Sequence, residues 1–232
     1  MVKESQSGNK ALSRGTKRKV FIIDDLPIVR QGLTQLIHQE KDLSLCGEDV
    51  DMADAVTSIK SSNPDIAIVS ISVGPSGGLK LIEDICHQFS QLPVLVLSML
   101  DEMIYAERCL RKGAKGYIMM KTSPKEIISA IRTVLKGEIY ISRKLGPKLI
   151  HKMISGGSDI NSSSINRLSN RELEVFQLIG QGIATRDIAD QLNLSVKTIE
   201  TYIDHIKKKM GFKSSRELFL YAVQWSITDR KF

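Results

Sequence analysis

The chain has 232 residues, 42% of them hydrophobic and 25% charged, with a formal net charge of +7. That size and balance fit one large domain or two small ones, and exclude a wholly disordered chain, a collagen-like chain and a coiled-coil rod. No apolar run approaches the ~18 residues of a membrane span. The polar start Met1-Val2-Lys3-Glu4-Ser5 has no signal-peptide core. Cys46, Cys86 and Cys109 fit neither a disulfide framework nor a zinc site, so a reduced, cytoplasmic setting is expected.

Charge is unevenly spread: +5 over residues 1–20, −4 over 21–135, +3 over 136–163 and +3 over 164–232. An acidic block between basic flanks suggests a polyanionic partner for the basic parts, although a solvated surface would also carry charge. Residues 1–16, rich in Ser, Gly, Asn and Lys, read as a disordered basic tail.

From residue 19 a pattern begins and repeats five times. Short apolar runs (Lys19 to Ile23, Leu43 to Cys46, Ile66 to Val69, Val94 to Leu97, Gly116 to Met119) alternate with amphipathic helical spacing over 27–40, 53–62, 77–90, 101–112 and 124–136. Continuous apolar strands between such helices predict a parallel sheet covered on both faces. Five units predict a flavodoxin-like, doubly wound α/β domain over 17–138, with its site at the carboxyl ends of the strands. Residues 139–164 read as a part-helical linker. A helix is expected over 143–155, followed by a Gly/Ser/Asn stretch over 156–164.

Residues 165–232 predict an all-α, four-helix unit. Ser169 and Glu172 have capping-box spacing, with Gly180 and Gly182 as stop signals. A short helix near 185–192, the turn Asn193-Leu194-Ser195 and a helix over 196–210 make a helix-turn-helix. Gly211 ends the third helix, and Ser214 and Glu217 repeat the capping spacing ahead of a fourth. At 100° per residue, Ile199, Ile203, Ile206 and Met210 form one stripe of the third helix. Lys197, Thr201, Asp204 and Lys208 lie opposite, with His205 and Glu200 at the edges. Ser195 and Thr198 sit at its N-terminus, where hydroxyls and free amides suit a phosphate, and Lys207, Lys208 and Lys209 form its last turn. This context favours double-stranded DNA as the partner. The alternative is an interaction module whose helix-turn-helix docks a protein.

The stretches Leu168 to Val175, Gly182 to Ala189 and Leu194 to Tyr202 closely resemble the LuxR-type DNA-binding domain. With the first domain, the chain resembles a NarL/FixJ-type response regulator of a two-component system. The resemblance implies that the third helix enters the major groove, that Glu200, Thr201 and Asp204 match the usual base-contacting positions, and that the fourth helix, over 214–225, forms a homodimer. Glu200 is also placed to hold Lys197 or Lys207.

The resemblance extends to the opening acidic pair of a receiver at Asp24-Asp25 and to Gly113-Ala114-Lys115-Gly116-Tyr117 before its fifth strand. Such receivers bind Mg²⁺ through three acidic residues and phosphorylate the one that ends the third strand. Here Ser70 stands at the acceptor position and Met120 at the phosphate-binding lysine. Ser98 matches the hydroxyl position and Tyr117 the switch aromatic, while Lys121 is adjacent but points elsewhere unless the strand bulges. A serine would form a stable ester rather than an acyl phosphate. Two carboxylates make a poor Mg²⁺ site, so Asp24 and Asp25 are expected to be a solvated strand end with weak metal binding at most. Phosphotransfer is therefore not expected, and the receiver is degenerate, serving dimerisation or a regulatory protein partner. Neither Ser70, Ser98 nor the histidines His38, His87, His151 and His205 lie in a hydrolase motif, and no nucleotide-binding glycine motif is present. No enzyme activity and no cofactor are expected.

Overall fold

Each of the five apolar runs becomes a strand because its side chains can be buried on both faces of one sheet. The computed structural model describes residues 17–50, 52–71, 78–147 and 164–229. In chain order the first part is β1 (Arg18–Ile23), α1 (Pro27–His38), β2 (Leu43–Asp49), α2 (Met52–Ser62), β3 (Ile66–Ile71), α3 (Gly78–Gln88), β4 (Val94–Ser98), α4 (Glu102–Arg111), β5 (Gly116–Met119) and α5 (Pro124–Leu135). All pairings are parallel and the strand order is β2-β1-β3-β4-β5. The expected doubly wound sheet is thus present, and most element ends lie within a residue or two of those read from the sequence.

The pleat sorts the strands by parity. Val20, Ile22, Ile66, Ile68, Leu95, Leu97 and Ile118 pack with Leu33 and Ile37 of α1 and Ile131 and Val134 of α5. Phe21, Ile23, Ala67, Val69, Val94, Val96 and Tyr117 pack on the other face, with Ile59, Ile82, Ile85 and Ala106. Strand order reverses at β1/β3, so the crevice of such a fold opens at the carboxyl ends of these two strands, beside Asp24 and Ser70.

Beyond α5, Tyr140 makes a parallel bridge to Gly116, so the chain first lies beside β5. Of the helix expected over 143–155, residues 145–147 are helical. The remainder, the Gly/Ser/Asn stretch up to 163 and the tail 1–16 lie outside the described residues.

The second part holds a short 3-10 turn (Ser164–Arg167), α6 (Asn170–Gly180), α7 (Thr185–Gln191), α8 (Val196–Met210) and α9 (Ser215–Asp229). Ser169 closes a complete capping box with Glu172. Ser214 accepts from the Glu217 amide at 3.2 Å, but Glu217 reaches back to the Lys213 amide, one residue upstream of the cap. Leu173, Phe176, Ile188, Ile199, Ile206, Leu218 and Ala222 are buried together, each large apolar side chain favouring folding by roughly 1.5–3 kcal/mol. Phe176 packs against Trp225 with ring centroids 5.4 Å apart.

α6 stops at Gly180, as expected, but the local stop signal is not the reason for the glycine. It is the helix's last residue, and an added Cβ would lie 2.5 Å from the Ala222 carbonyl oxygen. It is glycine because α9 crosses there. The left-handed turn falls to Gly182, at φ 80°. Among the described residues no helix is long and apolar enough to cross a membrane.

Candidate nucleic-acid interface and receiver pocket

α8 begins at Ser195, whose hydroxyl accepts from the Thr198 amide at 3.1 Å and lies 2.8 Å from the Thr198 hydroxyl. It ends at Gly211, in the left-handed conformation at φ 77°. The turn before it uses Asn193 at φ 51°, a conformation that Asn tolerates better than most residues. Ile199 and Ile206 are fully buried, and Ile203 and Met210 are half-buried against the same core. The stripe read from the sequence is therefore the inner face.

On the opposite side Lys197, Glu200, Thr201, Asp204, His205 and Lys208 are exposed, and Thr198 is half-buried. The Thr201 hydroxyl donates to the Lys197 carbonyl at 2.9 Å, so its donor is satisfied within the helix and its methyl remains as the contact group. Lys207 is held at 2.8 Å by Asp204 rather than by Glu200. That hydrogen bond holds the Asp204 carboxyl below its ordinary value. Lys209 turns inward, and its ammonium donates to Glu172 at 2.6 Å. The three-lysine run is thus three different environments: Lys207 pairs with Asp204, Lys209 with Glu172, and Lys208 lies on the outer face as the wheel expects.

The pocket at the end of the sheet is drier than its acidic sequence suggests. Asp24 is buried, at 2% exposure, which corrects the expectation of a solvated strand end; only Asp25 is exposed. One Asp24 oxygen accepts from the Leu26 amide at 2.7 Å, and the other accepts from the Ser70 hydroxyl. Arg30 donates to the Asp24 carbonyl at 2.7 Å. Burial is the largest influence on the Asp24 carboxyl and pushes it above its ordinary value, despite the bond from Ser70. Each oxygen thus already accepts a hydrogen bond, and among the described residues no group of three His, Cys, Asp or Glu side chains is arranged to hold a metal. Asp24, Asp25 and Ser70 do not fit a Mg²⁺ ion.

Ser98 is fully buried. Its hydroxyl donates to the Ile71 carbonyl at 2.8 Å and accepts from the Leu100 amide at 3.0 Å. Tyr117 is buried with its hydroxyl donating to the Leu100 carbonyl at 2.7 Å. Burial pushes that phenol well above its ordinary range. Met120 is half-buried against the α1/α5 core. Its amide bonds the Ser98 carbonyl at 2.8 Å, and β5 runs beside β4 without a register shift, leaving Lys121 exposed in the following turn.

Residues 20–132 match the response regulator receiver domain, and residues 166–222 match the bacterial regulatory proteins of the luxR family. Oxygen regulatory protein NreC of Staphylococcus carnosus is 34% identical over 215 residues, spanning 91% of this chain and 99% of that protein. The chain belongs to the NarL/FixJ family of response regulators. It is a DNA-binding transcriptional regulator of that type and not an enzyme, which decides against a helix-turn-helix that docks only a protein. NreC of Staphylococcus aureus matches to the same extent, 34% over 215 residues. RcsB of Salmonella enterica serovar Typhimurium bound to promoter rprA, in the presence of a phosphomimetic, superposes with a TM-score of 0.67 at 25% identity, covering 90% of this chain and 99% of that one. A structure of two RcsB dimers on two parallel DNAs gives a TM-score of 0.54 at 25% identity, covering 91% and 100%.

Two residues of this response regulator have roles that sequence alone does not reveal. Glu172 is legible as a cap but is also the partner of Lys209. Arg108 of α4 reaches the start of α6. The first has a signal in the capping-box spacing; the second, 60 residues from its partner, has none.

Proposed function

We propose that this regulator reads promoter half-sites as a homodimer through the exposed face of α8, and that its receiver works without accepting a phosphoryl group. The observation that carries the latter statement is the bond from the Ser70 hydroxyl to the buried Asp24 carboxyl. Ser70 stands where the receiver family has its acceptor aspartate, and it spends its only proton on the neighbouring acid. It would need a base to become a nucleophile, and its product would be an unactivated ester. Met120 stands where the family has lysine, so no cation would compensate charge on a phosphoryl group.

DNA reading rests on the exposure of Lys197, Glu200, Thr201, Asp204 and Lys208 together with the half-buried Thr198 at the start of the helix. Lys197, Thr198 and Lys208 are placed for phosphates, which position the helix without reading sequence. Thr201 offers its methyl to a thymine methyl, and Asp204 and Glu200 offer acceptors to a cytosine amino group. The solved RcsB dimers and the exposed α9 side chains Leu220 and Ile227, seven residues apart on one side of the helix, support a homodimer through α9. The receiver is taken as 17–138 and the DNA-binding domain as 165–232, joined through 139–164.

Incubation with acetyl phosphate and Mg²⁺ tests the receiver reading. Intact mass should show no adduct and promoter affinity should not change. A hydroxylamine-labile adduct with Mg²⁺ dependence would overturn it.

A further inference from the structure

The most enclosed charged group of the DNA-binding domain lies neither in the receiver pocket nor on the reading face. Glu172 is 3% exposed. One oxygen accepts both the Ser169 amide at 2.7 Å and the Lys209 ammonium at 2.6 Å; the other lies 3.9 Å from Nδ1 of His205. Burial alone would raise this carboxyl, but the bonds from Lys209 and Ser169 outweigh it and hold it below its ordinary value. It is therefore ionised, and Lys209 is its principal counter-charge.

From the other side comes the receiver. Arg108 of α4 donates to the Leu168 carbonyl at 2.8 Å and to Oδ1 of Asn170 at 2.7 Å, the residues that flank the Ser169 cap. Arg108 is partly buried there and feels the charge of Glu172. Further along α6, the Gln177 amide donates to the Tyr105 hydroxyl of α4. Tyr117 bonds the loop that leads into α4, through the Leu100 carbonyl. Continuous contacts therefore run from the sheet end through α4 and the α6 cap to the last turn of α8.

We propose that Glu172 is a positioning residue for DNA recognition, the junction through which receiver helix α4 fixes the C-terminal turn of the recognition helix, and that Lys209 is its strut rather than a phosphate contact. This rests on α8 being the DNA-reading helix. A buried, doubly bonded carboxylate resists movement, because freeing Lys209 would leave it uncompensated. Whatever shifts α4 shifts the Leu168–Asn170 segment, and with it the anchor of α8. That supplies a coupling between the domains that needs no phosphoryl group.

Two measurements on the full chain test it. Promoter affinity is measured against salt for Lys209→Met, Glu172→Gln, Arg108→Gln and their pairs, with Lys208→Ala as control. Glutamine still serves in a capping box, so Glu172→Gln keeps the cap while removing the charge. Lys209→Met should bind about tenfold more weakly at every site with an unchanged salt slope, and its combination with Glu172→Gln should lose little more. Lys208→Ala should lower the slope by about one. An equal drop in slope for Lys209→Met, or additive losses, overturns the proposal. The other measurement does not involve DNA. Amide hydrogen exchange over 207–210 should speed up in Arg108→Gln and in Glu172→Gln alike. If it rises in Glu172→Gln only, the link to the receiver is wrong even where α8 reads DNA. If exchange behaves as stated while no α8 substitution alters promoter binding, the junction stands and the reading-helix assignment falls.

Discussion

The carboxyl end of the receiver sheet and the outer face of α8 carry similar chemistry: aspartates, hydroxyls and a lysine nearby. They spend it in opposite ways. At the sheet end Asp24, Ser70, Ser98 and Tyr117 bond one another or nearby backbone, and the four are buried or half-buried. On α8, Lys197, Glu200, Asp204 and Lys208 face solvent. A polar group satisfied inside the protein contributes to folding and offers a ligand little. One left at the surface costs folding little and remains available. The sheet end thus has the residues of a site and behaves as a core, whereas the outer face of α8 has the composition of ordinary surface and the features of a site.

If that contrast holds, substitutions at Asp24 and Ser70, whose side chains bond each other and the Leu26 amide, change stability and leave DNA binding alone. Ser70→Asp should have the largest effect. It replaces the donor to Asp24 with another carboxyl beside a buried acid. Like charges so placed cannot both ionise cheaply, so a loss of about 2–3 kcal/mol at neutral pH is expected. Thermal unfolding should show it. The variant should still not become a phosphorylation switch, since Met120 is unchanged. Unaltered stability would mean that the pocket is wetter than its burial implies.

Substitutions on α8 should do the reverse. Thr201→Ala and Asp204→Ala should leave the melting temperature unchanged and alter base preference at one or two positions, by about 1–3 kcal/mol per good contact. Asp204→Ala also releases Lys207 from its 2.8 Å pair. It should therefore raise affinity for unrelated DNA while it relaxes the consensus. Selection from randomised half-sites checks both. The same consensus from wild type and both variants would remove these residues from the reading face.

The parts legible in the sequence are those with a period or a short-range signal. The unbroken apolar run from Val20 to Ile23 marked a strand covered on both faces, and the spacing of Ile199, Ile203, Ile206 and Met210 marked the inner side of α8. The capping box at Ser169 was visible as a three-residue interval. The remainder depends on contacts between distant residues. Nothing local marks Asp24 as dry and Asp25 as wet, because Ser70 lies 46 residues away from Asp24. The helical wheel separates Lys208 from Lys209, but nothing local names the partner of Lys209, since only the fold brings Glu172 beneath it. Gly180 was legible as a helix end, but the close approach that requires glycine there, the carbonyl of Ala222, lies on another helix.

The smallest effect probes the comparison at its centre, the buried acid. Burial raises the Asp24 carboxyl above its ordinary 3.8, so the folded state binds this proton more tightly than the unfolded chain. The sign follows directly. The stabilising influence of that proton is fully present below the unfolded value and is lost as pH rises through the higher folded value. At pH 7 an ionised Asp24 is therefore a net cost. Asp24→Asn removes the charge but keeps an oxygen for the Leu26 amide, and the Ser70 hydroxyl can turn to accept from its NH₂. The variant should be more stable at pH 7, by about the 2–4 °C that 1 kcal/mol brings in a chain of this size. The gain should shrink as pH falls toward 3.8, where wild-type Asp24 also carries its proton. Promoter affinity should be unchanged throughout. A variant that melts lower at pH 7 would mean that the carboxylate charge is wanted there, by a cation or by Arg30, and the sheet end would have to be counted as a site after all.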